Sequence, residues 1–250
     1  MLSTETLQFL ADLSENNNRE WFTENKKRYE KFKTDYYNLT AEFLAEMKLL
    51  DPSLELLEVK NCVFRINRDI RFSKDKTPYK NHIEFWMSAG AKNANLAGYY
   101  VHIGYDESFI AGGFHSPEAS ELKKIRKEIA FFYEDLEEIV NEKSFKTLFG
   151  TLDRNENNSL KNAPKDYEKD HPAIEFLKLK SFEATKKIED KEFFDPAFVD
   201  KLISSFKTVQ PLVVFLSSSC FVVSPPFYGS NQQLPLAFCS VHPAWCLVPG

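Results

Sequence analysis

The chain has 250 residues, a net charge of −5 and 43% hydrophobic residues, enough to bury a core without disulfide or metal staples. Its 14% aromatic content, with 23 Phe, excludes a mostly disordered chain, and the acidic balance excludes a generally basic nucleic-acid-binding surface. Met1 to Asp12 has neither a basic n-region nor an apolar h-region, no run of about 18 apolar residues occurs, and the body holds only Cys62 of the four cysteines. The expectation is a cytoplasmic protein with no membrane contact and no cofactor.

In chain order, Leu7, Leu10 and Leu13 mark a first helix, broken at Asn16-Asn17-Asn18. Asn17 and Glu20 have capping-box spacing, and a long helix with Phe22, Tyr29, Phe32, Tyr36, Phe43 and Met47 on one stripe should run to Asp51-Pro52. Alternation predicts strands over Val63–Phe72, around Ile83–Met87, over Gly98–Tyr105 and over Ser108–Phe114. Asp106-Glu107 forms a turn, and Gly112-Gly113 marks a bulge or a close backbone approach. From Ser116-Pro117 a stripe of Leu122, Ile125, Ile129, Phe132, Leu136 and Ile139 should lie on the sheet. Residues 150–170 read as a long loop, His171-Pro172 leads into a short helical pattern through Leu179, and a last helix should run from Asp195-Pro196 to Gln210-Pro211. Helices, then strands, then helices predict an α+β fold with an antiparallel sheet of about four strands.

Residues 1–216 are read as one domain. From Thr208 to the end no Asp, Glu, Lys or Arg occurs, and residues 217–250 have the composition of a foreign tail, as from a frameshift or read-through. Cys239, His242 and Cys246 there superficially resemble zinc ligands, but one short match in a biased segment is more simply chance.

The segment Lys60–Lys80 carries seven basic and two acidic residues, a net +5, which leaves −10 for the rest of a chain whose total is −5. On a strand Arg68 would sit in an apolar row with Phe64, Ile66, Ile70 and Phe72, and a buried guanidinium there needs Asp69, Glu84 or a ligand anion as partner. Arg offers planar forks to carboxylate or phosphate, and Lys offers mobile point charges. Arg65, Arg68, Asp69, Arg71, Lys76, Tyr79 and Lys80 therefore form the candidate anion site. Asp69 would orient the guanidinium groups or act as a base, and Tyr79 would donate a hydrogen bond. Three readings follow: a site for a small phosphate- or carboxylate-bearing ligand, with or without a reaction; a contact with a nucleic-acid backbone; and a salt-bridge lattice in a protein-interaction module. His82 and His102 are placed to meet across the sheet, but no ligand spacing appears in the body and no metal is expected. The common nucleotide-binding and hydrolase motifs are absent.

The run Arg65-Ile66-Asn67-Arg68-Asp69-Ile70-Arg71-Phe72-Ser73-Lys74-Asp75-Lys76-Thr77-Pro78-Tyr79 resembles the central signature of the DUF2461 family. Asn17-Asn18-Arg19-Glu20-Trp21-Phe22 is similar to its N-terminal motif. Gly98-Tyr99-Tyr100, Gly112-Gly113, Leu160-Lys161, Ala163-Pro164 and Asp170-His171-Pro172 are similar to its later landmarks. The resemblance spans about Thr4 to Leu216. It implies a site shared across a bacterial and fungal family of unknown function, and no particular reaction.

Overall fold

The computed structural model describes residues 3–90 and 95–218. The fold is α+β. Four antiparallel strands lie in the order β1 (His82–Met87), β2 (Gly98–Gly104), β3 (Phe109–Phe114) and β4 (Phe182–Lys187). Helices α1 (Thr4–Glu15), α2 (Arg19–Glu24), α3 (Lys26–Leu50) and α4 (Val59–Cys62) precede the sheet. Helices α5 (Ala119–Phe131), α6 (Tyr133–Asn141), α7 (Lys143–Phe149) and α8 (Ile174–Leu177) fall between β3 and β4, and α9 (Phe198–Ser218) closes the fold.

Three strands stand where alternation places them, and the fourth does not. Residues 63–72 are irregular, with only isolated bridges, Val63 to Phe85 and Asn67 to Tyr79. The backbone bonds of this segment go elsewhere: Arg68 N donates to the Pro78 carbonyl, and Lys80 N to that of Ile66. Asp69 and Asp75 accept from the amides two residues on, Arg71 and Thr77. Such local turns compete directly with a strand ladder. The fourth strand is instead β4, which pairs with β3 from Phe109–Lys187 to Phe114–Phe182. Its half-charged sequence, Phe-Glu-Ala-Thr-Lys-Lys, gives no strong strand signal.

The helices carry further corrections. The N-cap of α2 is Asn18, whose side chain accepts from Trp21 N, one residue later than the capping-box spacing suggests. The long helix divides at Asn25, and the helix after Ser116-Pro117 divides at Phe132. That stripe packs on α8 and α9, and it is α9 that lies on β3 and β2. Pro211 does not end α9 but lies inside it on the exposed side. An internal proline costs about 3 kcal/mol, but Leu212, Val213, Phe215 and Leu216 beyond it are all buried, and their burial offsets that cost. The uncharged stretch thus begins within a core helix, and residues 219–250 lie outside the described residues.

The inner sheet face carries Ile83, Phe85, Met87, Tyr99, Val101, Ile103 and Ile110 against α1, α3 and α9. The buried Tyr99 hydroxyl donates to Asp51 Oδ2 at 2.8 Å. Gly112 serves a close approach: a Cβ there would stand 2.4 Å from Val209 Cγ1, so only glycine lets α9 settle on β3.

Candidate functional site

The basic segment folds as a loop pinned by the N-terminal motif. The Asn17 side chain brackets the backbone of Tyr79, donating to its carbonyl at 2.9 Å and accepting from its N–H at 3.0 Å. Phe22 stacks on the Tyr79 ring at 3.9 Å between centroids. Tyr79 is therefore a buried anchor.

Within the loop most of the charges are already spent. Arg68 bonds Asp75 and both oxygens of Thr77. It is half-buried, and its acid is neither Asp69 nor Glu84, because Asp75 turns back towards it once the strand is replaced by a loop. Arg71 grips Asp69 with both prongs, Nε to Oδ1 at 2.9 Å and Nη2 to Oδ2 at 2.7 Å, out in solvent. The Arg71 hydrogen bonds hold the Asp69 carboxyl below its usual range, and the Thr77 amide, followed by the Arg68 bond, does so for Asp75. Lys76 Nζ donates to the Ile70 carbonyl. Lys80 leaves the loop and pairs with Glu84 of β1. Arg65 is exposed and makes no ion pair among the described residues.

The seven residues therefore do not form one cluster. Arg65 and Lys80 come together with Lys33, Tyr36, His82 and Glu84 around a cavity of about 160 Å³. Arg68, Asp69, Arg71, Lys76 and Tyr79 do not line it.

A larger cavity, about 580 Å³, lies over the outer face of the sheet. Register explains its lining. Glu84 and Trp86 of β1, Tyr100 of β2, Phe109 and Ala111 of β3, and Glu183 and Thr185 of β4 all project to this side, opposite the core. Phe64 and Glu84 line both cavities, so the two adjoin there. The buried Asn95 Nδ2 in the wall has no hydrogen-bond partner among the described residues.

Glu84 is the hub. Its Oε1 takes Lys80, its Oε2 accepts from the Tyr100 hydroxyl at 2.5 Å, and its backbone carbonyl accepts from Tyr36. Burial raises its pKa, but the bonds from Lys80 and Tyr100 outweigh this and hold it below the ordinary value. His82 and His102 lie beside it with ring centroids 4.2 Å apart, so the two histidines do meet across the sheet. Burial, then the neighbouring His102, presses His82 down to about 4, and burial also lowers His102. At the far end His115 Nδ1 lies 2.9 Å from Glu183 Oε2, whose pKa burial raises against the opposing pull of His115. Potential ligand atoms of His82, Glu84 and His102 all fall within 4.8 Å of one another.

A family profile described as "Conserved hypothetical protein (DUF2461)" matches residues 5–215. The chain belongs to the DUF2461 family. No curated protein and no solved structure matches it. In this DUF2461 chain the two most recognisable motifs meet at Asn17, Phe22 and Tyr79, where their contacts are structural. Glu84, Tyr100 and Glu183 carry no site motif in the DUF2461 sequence. Alternation in β1 and β2 carried a signal for the first two, but nothing local marked β4, which supplies Glu183.

Proposed function

We propose that this DUF2461 protein binds a small organic molecule bearing a phosphate or carboxylate group. The acidic group would sit in the smaller cavity by Arg65, Lys80 and Lys33, and the body of the molecule would extend past Phe64 over the outer sheet face. The observation that carries the reading is the junction of the two cavities. One sets three cations against the single carboxylate Glu84; the other offers aromatic walls at Trp86, Tyr100 and Phe109.

A second role is favoured for the remaining motif residues. Arg68, Asp69, Arg71, Lys76 and Tyr79 act as a lattice that shapes the loop, because each is engaged by a neighbour within it or by Asn17.

Titration of the full chain with inorganic phosphate, then with phenyl phosphate and benzoate, tests both, with a chelator present throughout. Arg65→Ala should weaken phosphate binding at least about tenfold, equivalent to the loss of one charge-assisted contact, and Arg71→Ala should leave it unchanged. Trp86→Ala should weaken phenyl phosphate more than phosphate. Undiminished binding in Arg65→Ala, or no saturable binding of any of the three anions, would overturn the ligand reading.

A further inference from the structure

The junction of the cavities holds two imidazoles and a carboxylate from adjacent strands. His82 and Glu84 are alternate residues of β1, so they share its outer face. His102 stands directly across from Glu84 in the β1–β2 register. No local sequence spacing displays this trio, because its third member arrives through strand pairing. We infer that His82, Glu84 and His102 form a site for a divalent transition-metal ion of the zinc class.

The donor set fits such an ion. Two imidazole nitrogens and one carboxylate oxygen suit zinc and its borderline neighbours better than calcium or magnesium, which prefer all-oxygen sites. Three protein ligands leave a coordination position for water or a bound oxygen. The ligand atoms lie within 4.8 Å of one another. Bonds of about 2.0–2.1 Å in a tetrahedral site bring ligands to about 3.3 Å apart, a contraction that side-chain rotation supplies.

Outer partners already orient the ligands. Asn81 Oδ1 lies 3.3 Å from His82 Nδ1, and the Tyr100 oxygen 3.4 Å from His102 Nδ1. Both contacts are to Nδ1, so the tautomer that donates Nδ1–H to its outer partner keeps Nε2 as the ligand atom of that imidazole. Lys80 and Tyr100 occupy one site on each oxygen of Glu84, but a carboxylate offers about four lone-pair sites. Lys80 and Arg68 are the cations that oppose the ion among the described residues. Glu107 Oε1, 3.9 Å from His102 Nε2, adds negative charge nearby.

The inference is independent of the anion reading, because it is tested with the metal alone in a phosphate-free buffer. Zinc titrated into the chelator-stripped full chain should bind one to one. His82→Ala and His102→Ala should each weaken binding by at least about thirtyfold, within the range seen when a metal site is disturbed. His115→Ala and the double variant Cys239→Ser/Cys246→Ser should bind as the parent does. Equal binding in His82→Ala and His102→Ala, or no binding by the parent, overturns the site. If an alanine variant fails to fold, cobalt(II) in the parent chain decides. A visible spectrum of nitrogen and oxygen ligation without a cobalt–thiolate charge-transfer band supports the site, and a thiolate band moves the metal to a cysteine and overturns it.

Discussion

The two faces of the sheet are made from the same strands and differ in almost every physical respect. The inner face is built of Ile83, Phe85, Met87, Val101, Ile103 and Ile110, all fully or almost fully buried under helices. The outer face offers His82, Glu84, Trp86, Tyr100, His102, Glu183 and Thr185, all half-buried, with Tyr100 bonded to Glu84 and close to His102. One face is held by packing, where each lost methylene is felt. The other is held by charge and hydrogen bonding and keeps space over it. Stability and chemistry are thus separated by the two-residue period of a strand.

The sharpest way to break the comparison is Phe85→Ala. It should cost about 3–5 kcal/mol in denaturant unfolding, the usual range for a fully buried aromatic, with no role for added ligand. Gly112→Ala should cost about 1–3 kcal/mol, because its methyl group must displace Val209. Much of that loss should return in Gly112→Ala/Val209→Ala, so a strictly additive double variant would contradict the close approach. On the outer face, Tyr100→Phe should cost about 1.5–3 kcal/mol, the value of one hydrogen bond to a charged group, and should change ligand affinity where Phe85→Ala does so only through folding.

Acid sharpens the comparison further. The unfolded chain protonates His82 near the ordinary histidine value of about 6.5, whereas the fold refuses that proton down to about 4. The unfolded state therefore binds more protons between those values, and stability falls as pH drops through that window. His102 adds in the same direction, and the charges facing the pair are Lys80, Arg68, Glu84 and Glu107. In chelated buffer, the melting temperature of His82→Gln should fall less steeply from pH 6.5 to 4 than that of the parent. An equal slope would place the acid sensitivity elsewhere. The smallest effect belongs to the exposed Arg71–Asp69 fork: Arg71→Ala should leave the denaturant midpoint indistinguishable from the parent's, as solvent screening leaves exposed ion pairs little to contribute.

Sequence periodicity by itself determined α1, the long aromatic-striped helix, strands β1 to β3 and their antiparallel connections, because those signals are local. The two motifs that mark the family stand in the sequence through their resemblance to it, and alternation placed His82 and His102 on facing strands. Only the tertiary structure decided the rest. Residues 63–72 alternate like a strand, yet the turns at Asp69 and Asp75 and the anchoring of Tyr79 by Asn17 take their hydrogen bonds away. β4 was hidden because its pairing with β3 crosses some 70 residues and its own sequence is half charged. Pro211 looked like a stop because its backbone defect is local, while the burial that offsets it comes from the rest of the fold. Arg68 found Asp75, and His82 and Glu84 found His102, through loop closure and strand pairing. A periodicity reports which way a side chain faces; which residue it then meets depends on contacts between distant parts of the chain, and those are fixed only when the whole core closes.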